Sequence, residues 1–349
     1  MNRSLIYDVP ALTGGQTVKA WVLHDTGDFR FEDADKPVPS SGEVLVQVKA
    51  CGICGSDIAR VYKDGAHRMP LIIGHEFSGI VCETGENTDD KWLNKRVGVF
   101  PLIPCGECGP CRHKQYEMCR HYDYLGSRSD GGFAEYVRVP EKNLIELPEN
   151  VSFETAAMLE PMAVAMHAIR QAGTVSQASC KVIGIGTIGF FVTMLLKACS
   201  AQEIYPVCNK DFQKKQLENL GLTPAAGDEK ADIVFECVGS ESVFQQAVAS
   251  ANPGGHVVLV GNPKSDMGLE RNIYWRMLRD QLTLHGTWNS SFTGASEDDW
   301  HEVLRLLENG SIRPDSIISH RLPLKELDKG LMIMRDRKEE YGKIMAVMD

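Results

Sequence analysis

The sequence predicts an α/β chain of two parts: an irregular β-rich domain, then a doubly wound parallel sheet of Rossmann type. Three observations carry this. Up to residue 160, short β-like runs are broken by Pro37, Pro39, Pro101, Pro104, Pro140 and Pro148. From Pro161 onward, apolar runs alternate with helix-like segments, the rhythm of a parallel sheet with crossover helices. A glycine-spaced loop then joins the first of those runs to an apolar helix. At 349 residues the chain is too long for one ordinary domain and comfortable for two.

Taken in order, 44–50 (VLVQVKA) alternates apolar and polar side chains, as a half-buried strand does. The later strands are expected at 180–184 (CKVIG), 203–208 (EIYPVC), 231–239 (ADIVFECVG) and 256–261 (HVVLVG), with a helix at 211–220. Residues 297–309 read as an amphipathic helix carrying Trp300, Val303, Leu304 and Leu307 on one face. The closing GKIMAVM reads as a strand that returns to the first domain. The expected division is therefore 1–162 with 290–349 for the first domain and 163–289 for the second. No internal repeat is present.

Composition narrows the function. Hydrophobic residues at 43% and charged residues at 24% describe a globular protein. A net charge of −10 argues against nucleic-acid and anionic-membrane partners, since phosphate surfaces select basic proteins. The longest apolar run, 182–196, contains three glycines and falls short of the ~20 residues that span a bilayer. MNRSLIYDVPALTGG has no apolar signal-peptide core, so a cytoplasmic setting is expected. Eleven cysteines, an odd number and mostly scattered, point to thiolate chemistry with metals rather than to a disulfide framework. Cys51, Cys82, Cys180, Cys199 and Cys237 sit among apolar residues and read as small core side chains.

The exception to that scatter is PCGECGPCRHKQYEMC, in which Cys105, Cys108, Cys111 and Cys119 are spaced C-x2-C-x2-C-x7-C. Two-residue gaps turn successive sulfurs toward one point, and four thiolates close a tetrahedral zinc shell. An iron–sulfur cluster uses similar gaps, but the long last interval disfavours it. Four protein ligands leave no open position, so such a zinc is structural.

A second set is dispersed: Cys54 in CGICGSD, His75 and Glu76 in IIGHEFSG, and Glu160 in LEP. A catalytic zinc takes three protein ligands and keeps one position open. Spacing alone does not join these residues. The third motif is G-x-G-x-x-G at Gly184, Gly186 and Gly189, enclosing Thr187 and Ile188, directly after an apolar run and at the start of an apolar helix. That is the context of a dinucleotide-binding turn, with the pyrophosphate on the helix N-terminus. The ribose-binding acid of NAD-preferring folds belongs at the end of the next strand, where Cys208, Asn209 and Lys210 stand instead. Asp211 is the nearest acid and reads as a helix cap. Without the carboxylate a 2′-phosphate is not repelled, and Lys210 offers it a charge, so NAD and NADP both stay open.

With these residues in hand, the chain resembles the zinc-dependent medium-chain alcohol dehydrogenases from about Val18 to Lys343. GHE-x2-G-x5-G at 74–85, the four-cysteine lobe and the glycine loop occur in that family's order. Glu160-Pro161 resembles its polyol branch, where ethanol-type enzymes carry a cysteine. The resemblance implies a GroES-like first domain and two zinc ions per chain. It assigns Cys54, His75 and Glu160 to a catalytic zinc, with Glu76 beside them, and the four cysteines to a structural one. Ser56 matches the hydroxyl that takes the substrate proton. Ala59 stands where many members carry a proton-passing histidine, a departure that leaves the exit route unassigned.

The implied activity is hydride transfer from a secondary alcohol of a sugar alcohol, or of its phosphate, to NAD(P), in a homodimer or homotetramer. Lys63, His67, Arg68 and Arg128 are candidate cations for a substrate phosphate, with Arg128 first because a guanidinium grips two oxygens in parallel. Sorbitol-type and threonine-type dehydrogenases of the same fold are the enzymatic alternatives. A nucleotide-binding scaffold without activity would have lost zinc ligands, and none is missing.

Overall fold

The computed structural model describes residues 15–263 and 265–349. The N-terminal segment read above for a signal peptide lies outside the described residues, apart from Gly15. The chain divides into two compact units, Met1–Glu160 with Ile318–Asp349, and Pro161–Ile317.

The first unit is built on a seven-stranded sheet whose spine is Glu43–Gly52. Val44, Val46 and Val48 are buried there, as the alternating pattern predicts, and so is Leu45 beside a register shift. This strand runs antiparallel to Glu76–Thr84, with Gly52 opposite Glu76. Its first half also pairs with Tyr136–Pro140. Its last residues pair with the C-terminal strand Lys343–Val347, placing Met345 opposite Gly52. One core cluster joins Val46, Ile53, Phe77, Phe133, Leu331 and Ile344. A three-stranded sheet made by Thr17–Asp25, Asp28–Asp35 and Leu71–Ile72 is pinned by Trp21, which stacks on Phe29 at 4.8 Å and donates to Leu324 O at 2.7 Å.

The second unit holds a five-stranded parallel sheet in the order Glu203–Val207, Ser179–Ile183, Ala231–Glu236, Ala251–Leu259 and Thr283–Gly286. Sequence order reverses at Ser179–Ile183, the switch point of a doubly wound sheet. Among the described residues no strand forms between Glu203–Val207 and Ala231–Glu236; a backbone bond, Ala225 N to Pro206 O at 2.8 Å, joins that stretch to the sheet. The fully buried Lys181 donates to Gly227 O and Glu229 O at 2.7 and 2.8 Å and anchors the same stretch.

Two boundaries differ from expectation. The first unit ends at Glu160 rather than 162, and the chain returns to it at Ile318 rather than 290. The helix Asp299–Glu308 is responsible, because it is tied into the second unit. Its buried Asp299 accepts from His167 Nδ1 at 2.8 Å and from Arg170 Nη1 at 3.0 Å. Of the five expected core cysteines, Cys51 and Cys180 are buried, while Cys82, Cys199 and Cys237 are half-buried. Among the described residues no helix is long and apolar enough to cross a membrane.

Candidate metal centres and cofactor loop

In the cysteine lobe, Cys108 caps the short helix Gly109–Arg112, with Pro110 in its first turn, and Cys119 ends the turn Tyr116–Met118. The local chain therefore folds back on itself and gathers four sulfurs within 4.8 Å of one another. The Cys108–Cys111 separation is 3.4 Å, and Cys105–Cys111 and Cys108–Cys119 are each 3.9 Å. A tetrahedron with Zn–S of about 2.3 Å has S···S edges of about 3.8 Å, so the donors fit zinc. Backbone N–H groups of Arg120 and Cys111 pull the Cys108 thiol down to about 6. Burial pushes Cys111 up to about 12.

The dispersed set meets within the first unit. The strand Glu43–Gly52 leads through Ile53, held by Ile344 O at 2.9 Å, to Cys54 at the N-cap of the short helix Gly55–Ala59. Gly74 turns the chain into Glu76–Thr84 with φ of +96°, and a Cβ there would come within 2.5 Å of Phe133, so only glycine serves. His75 and Glu76 are delivered to Cys54 by that turn, with one donor atom of each residue within 4.8 Å of the others.

Three residues that the sequence did not mark hold this group. Asp57, fully buried, accepts from Cys54 N at 2.9 Å and Arg60 Nη1 at 2.8 Å, and its Oδ1 lies 3.5 Å from His75 Nδ1. Burial lowers the His75 pKa, but Asp57 and Cys54 outweigh it and hold the imidazole well above its ordinary value. Burial likewise works against the Asp57 carboxylate, and His75 and Arg60 still keep it below the usual range. Tyr124 sets its ring edge-on to His75, 5.8 Å between centroids, and donates its hydroxyl to Glu160 Oε1 at 3.1 Å. Lys343 forms a buried ion pair with Glu76.

Glu160 thus stands beside the group rather than inside it. The tight triad is Cys54, His75 and Glu76, whereas the expected ligand set names Glu160. Burial raises the Glu160 carboxyl to about 7, with His75 opposing and Glu76 reinforcing the rise. Cys thiolate, imidazole and carboxylate donors in one buried place fit a zinc ion with mixed ligands. Ser56 is half-buried two residues after Cys54, and Ala59 ends the same short helix.

The candidate cations separate. Arg68 donates to Arg128 O at 2.8 Å, Pro70 O at 3.2 Å and Asp130 Oδ1 at 3.1 Å, so it ties down the 128–130 turn. Lys63 is exposed near the end of the Arg60–Asp64 turn. Arg128 lies over the Tyr122 ring at 4.7 Å, and Tyr122 meets Tyr124 at 6.2 Å. His67 is made less basic by burial, then by Arg128 and Arg60, which places those three cations in one neighbourhood.

In the second unit, Gly184 (φ +96°) ends Ser179–Ile183, and Gly186 caps the helix Thr187–Ala198. A Cβ on Gly189 would lie 1.9 Å from Gly184 O, while one on Gly186 meets nothing within 4 Å. The loop closes tightly on itself and leaves an open cradle at a helix N-terminus, which fits a pyrophosphate. Ile188 and Thr187 form the first turn. Cys208 is half-buried and Asn209 and Lys210 are exposed. Lys210, not Asp211, takes the N-cap; Asp211 is the first helical residue and pairs with Lys214 at 2.8 Å.

Residues 40–149 match the alcohol dehydrogenase GroES-like domain and 187–309 the zinc-binding dehydrogenase family. Galactitol 1-phosphate 5-dehydrogenase of Escherichia coli K12 is 32% identical over 317 residues, 86% of this chain and 92% of that protein. The chain belongs to the zinc-dependent medium-chain alcohol dehydrogenases. L-threonine 3-dehydrogenase of Bacillus velezensis is 29% identical over 95% of this chain and 99% of its own. A protein described as a zinc-binding dehydrogenase from Sinorhizobium meliloti, solved with NADP, superposes with a TM-score of 0.87 at 27% identity, covering 95% of this chain and 100% of that one. As a medium-chain alcohol dehydrogenase the protein is an oxidoreductase of small-molecule alcohols that uses zinc and a nicotinamide cofactor.

Proposed function

We propose that this dehydrogenase oxidises a secondary alcohol of a sugar alcohol or its phosphate, of the galactitol 1-phosphate kind, to the ketose with NAD(P). The observation that carries the reading is the convergence of Cys54 and His75 with Glu160 held beside them by Tyr124. These three would hold a catalytic zinc, and Cys105, Cys108, Cys111 and Cys119 a structural one. A zinc bound there supplies Lewis acidity that lowers the pKa of a substrate hydroxyl. Asp57, with its Oδ1 3.5 Å from Nδ1, stands beside the His75 ring, and the other ring nitrogen would be the one to hold the metal. Ser56 takes the hydroxyl proton. With Ala59 in place of a histidine, the proton then leaves by way of solvent at the half-buried end of the short helix.

Gly184, Gly186, Thr187, Ile188 and Gly189 would carry the cofactor pyrophosphate, and Cys208, Asn209 and Lys210 the ribose edge. Burial pushes the Cys208 thiol up, so it stays neutral and does not repel a 2′-phosphate. Arg128 and His67 would bind the phosphate of the substrate, Arg128 with a guanidinium already oriented by Tyr122. The proposal includes self-association: Tyr274, Trp275 and Leu278 on the helix Arg271–Arg279 are each about half exposed and offer an apolar face that a second copy would bury.

A threonine-type activity is the second reading, favoured by the near full-length likeness to L-threonine 3-dehydrogenase. Growth of nicotinamide absorbance with galactitol 1-phosphate, galactitol, sorbitol and L-threonine, each with NAD and NADP, separates the readings. Fastest turnover of the phosphate ester supports the proposal. Fastest turnover of sorbitol or threonine replaces it, and turnover of none removes it.

A further inference from the structure

We infer that Lys343 is a positioning residue that decides which of two carboxylates, Glu76 or Glu160, serves the metal of the Cys54–His75 site. The inference rests on the reading of that site as a zinc centre. Two acids stand near one pair of soft donors, and their partners differ. Glu160 takes a neutral hydroxyl hydrogen bond from Tyr124, which leaves its charge free for a cation. Glu76 faces the ammonium of Lys343, and both residues are 2% exposed.

The pair is built into the sheet. Gly52 lies opposite Glu76 on one side and opposite Met345 on the other, so the three strands bring position 343 alongside. Lys343 Nζ also donates to Ile53 O at 2.9 Å, which fixes its end beside the residue preceding Cys54. A Cβ on Gly52 would lie 2.3 Å from Glu76 Oε2 and 2.6 Å from Lys343 Cε, so glycine is what leaves room for the pair. Lys343 is felt by both acids, but only Glu76 is in direct ion contact with it, and a carboxylate so paired gains less from a metal than one whose bonded partner is a phenol. Lys343 thereby withholds Glu76 as a fourth protein ligand, and the open position that catalysis needs is kept. Without the ammonium, Glu76 would complete a closed shell like that of the cysteine lobe.

The test uses the full-length, zinc-loaded protein and three variants: Lys343→Met, Lys343→Arg, and Lys343→Met combined with Glu76→Gln. The readouts are the rate at which the labile zinc is lost to a chelator and the visible spectrum after cobalt replaces it. Lys343→Met is expected to slow zinc loss by roughly tenfold or more and to change the cobalt bands. Lys343→Arg and the double variant are expected to match the wild type in both. Faster or unchanged zinc loss in Lys343→Met overturns the inference. If Lys343→Met does not fold, the double variant decides: retained labile zinc with wild-type bands supports Glu160 as the ligand, and loss of that zinc makes Glu76 the ligand and overturns the inference. Zinc content of the wild type separates the two levels of argument. One zinc per chain overturns the site reading and the clamp together, whereas two per chain with an indifferent Lys343→Met overturns the clamp alone.

Discussion

The two candidate metal centres of the first unit are made in opposite ways. The cysteine lobe takes all its candidate donors from 105–119, uses one donor type and gathers them with local turns. The dispersed centre collects sulfur, nitrogen and oxygen from Cys54, His75 and Glu76, with Glu160 beside them, and its supporting cation comes from the C-terminal strand. One is written in spacing, the other in sheet register. A closed shell needs only that four identical ligands turn inward. An open one needs each donor restrained separately, which is the work of Asp57, Tyr124 and Lys343.

The sharpest way to break this comparison is His75→Ala. Turnover should fall by about a thousandfold or more, because the candidate open centre would lose its one nitrogen donor. NAD(P)H binding, followed by fluorescence titration, should be nearly unchanged, since Gly184, Gly186 and Gly189 lie in the other unit. A variant keeping a tenth of wild-type turnover would remove His75 from the catalytic set.

Cys108→Ser strikes the closed centre instead. Bound zinc should drop by one ion per chain, and thermal unfolding should come roughly 5–10 °C earlier, because a structural zinc contributes folding free energy. A chelator should empty the open centre first and the lobe later. Simultaneous loss of both ions, with activity and stability falling in step, would erase the distinction between them.

How much of each region was legible follows from the same contrast. The lobe was readable outright, because C-x2-C-x2-C-x7-C encodes its geometry in the chain itself. The glycine loop was readable for the same reason, as a strand, a turn and a helix in succession. The dispersed centre was readable only through resemblance, and its finer structure was not. Asp57 looked like one more acid in CGICGSD, and nothing in GKIMAVM marks Lys343 as a partner of Glu76, residues that meet only when three strands are in register. The return point at Ile318 was missed because the tie between Asp299 and His167 spans a long stretch of chain and leaves no local trace.

Arg128 asks how far the open centre extends toward its substrate. From His75 through Tyr124 and Tyr122 to Arg128 runs a continuous series of ring contacts. If the substrate carries a phosphate, Arg128→Met should raise its KM by about tenfold or more and leave an unphosphorylated polyol nearly untouched, as loss of a charge-assisted pair of bonds requires. Arg68→Met offers the contrast, since that guanidinium is already engaged by Arg128 O, Pro70 O and Asp130. It should weaken both substrates alike by loosening the turn. Equal losses in Arg128→Met would give Arg128 the same structural role.

The smallest effects are expected at the ribose edge of the second unit, where the determinant is again a contiguous run, Cys208–Asn209–Lys210. This run belongs with the cysteine lobe as locally written information, yet its side chains are half-buried or exposed. Solvent screens an exposed lysine, so Lys210→Ala should weaken NADP against NAD by only about threefold. Cys208→Asp should shift the same ratio further, by about fivefold, because it places a full negative charge where the half-buried thiol is kept neutral. The ratio of kcat/KM values for the two cofactors reads both changes directly. Should the wild type already favour NAD by about a thousandfold, with Lys210→Ala altering neither cofactor, the edge would not discriminate by charge. Selection would then lie in the shape of the backbone around the ribose rather than in its charges.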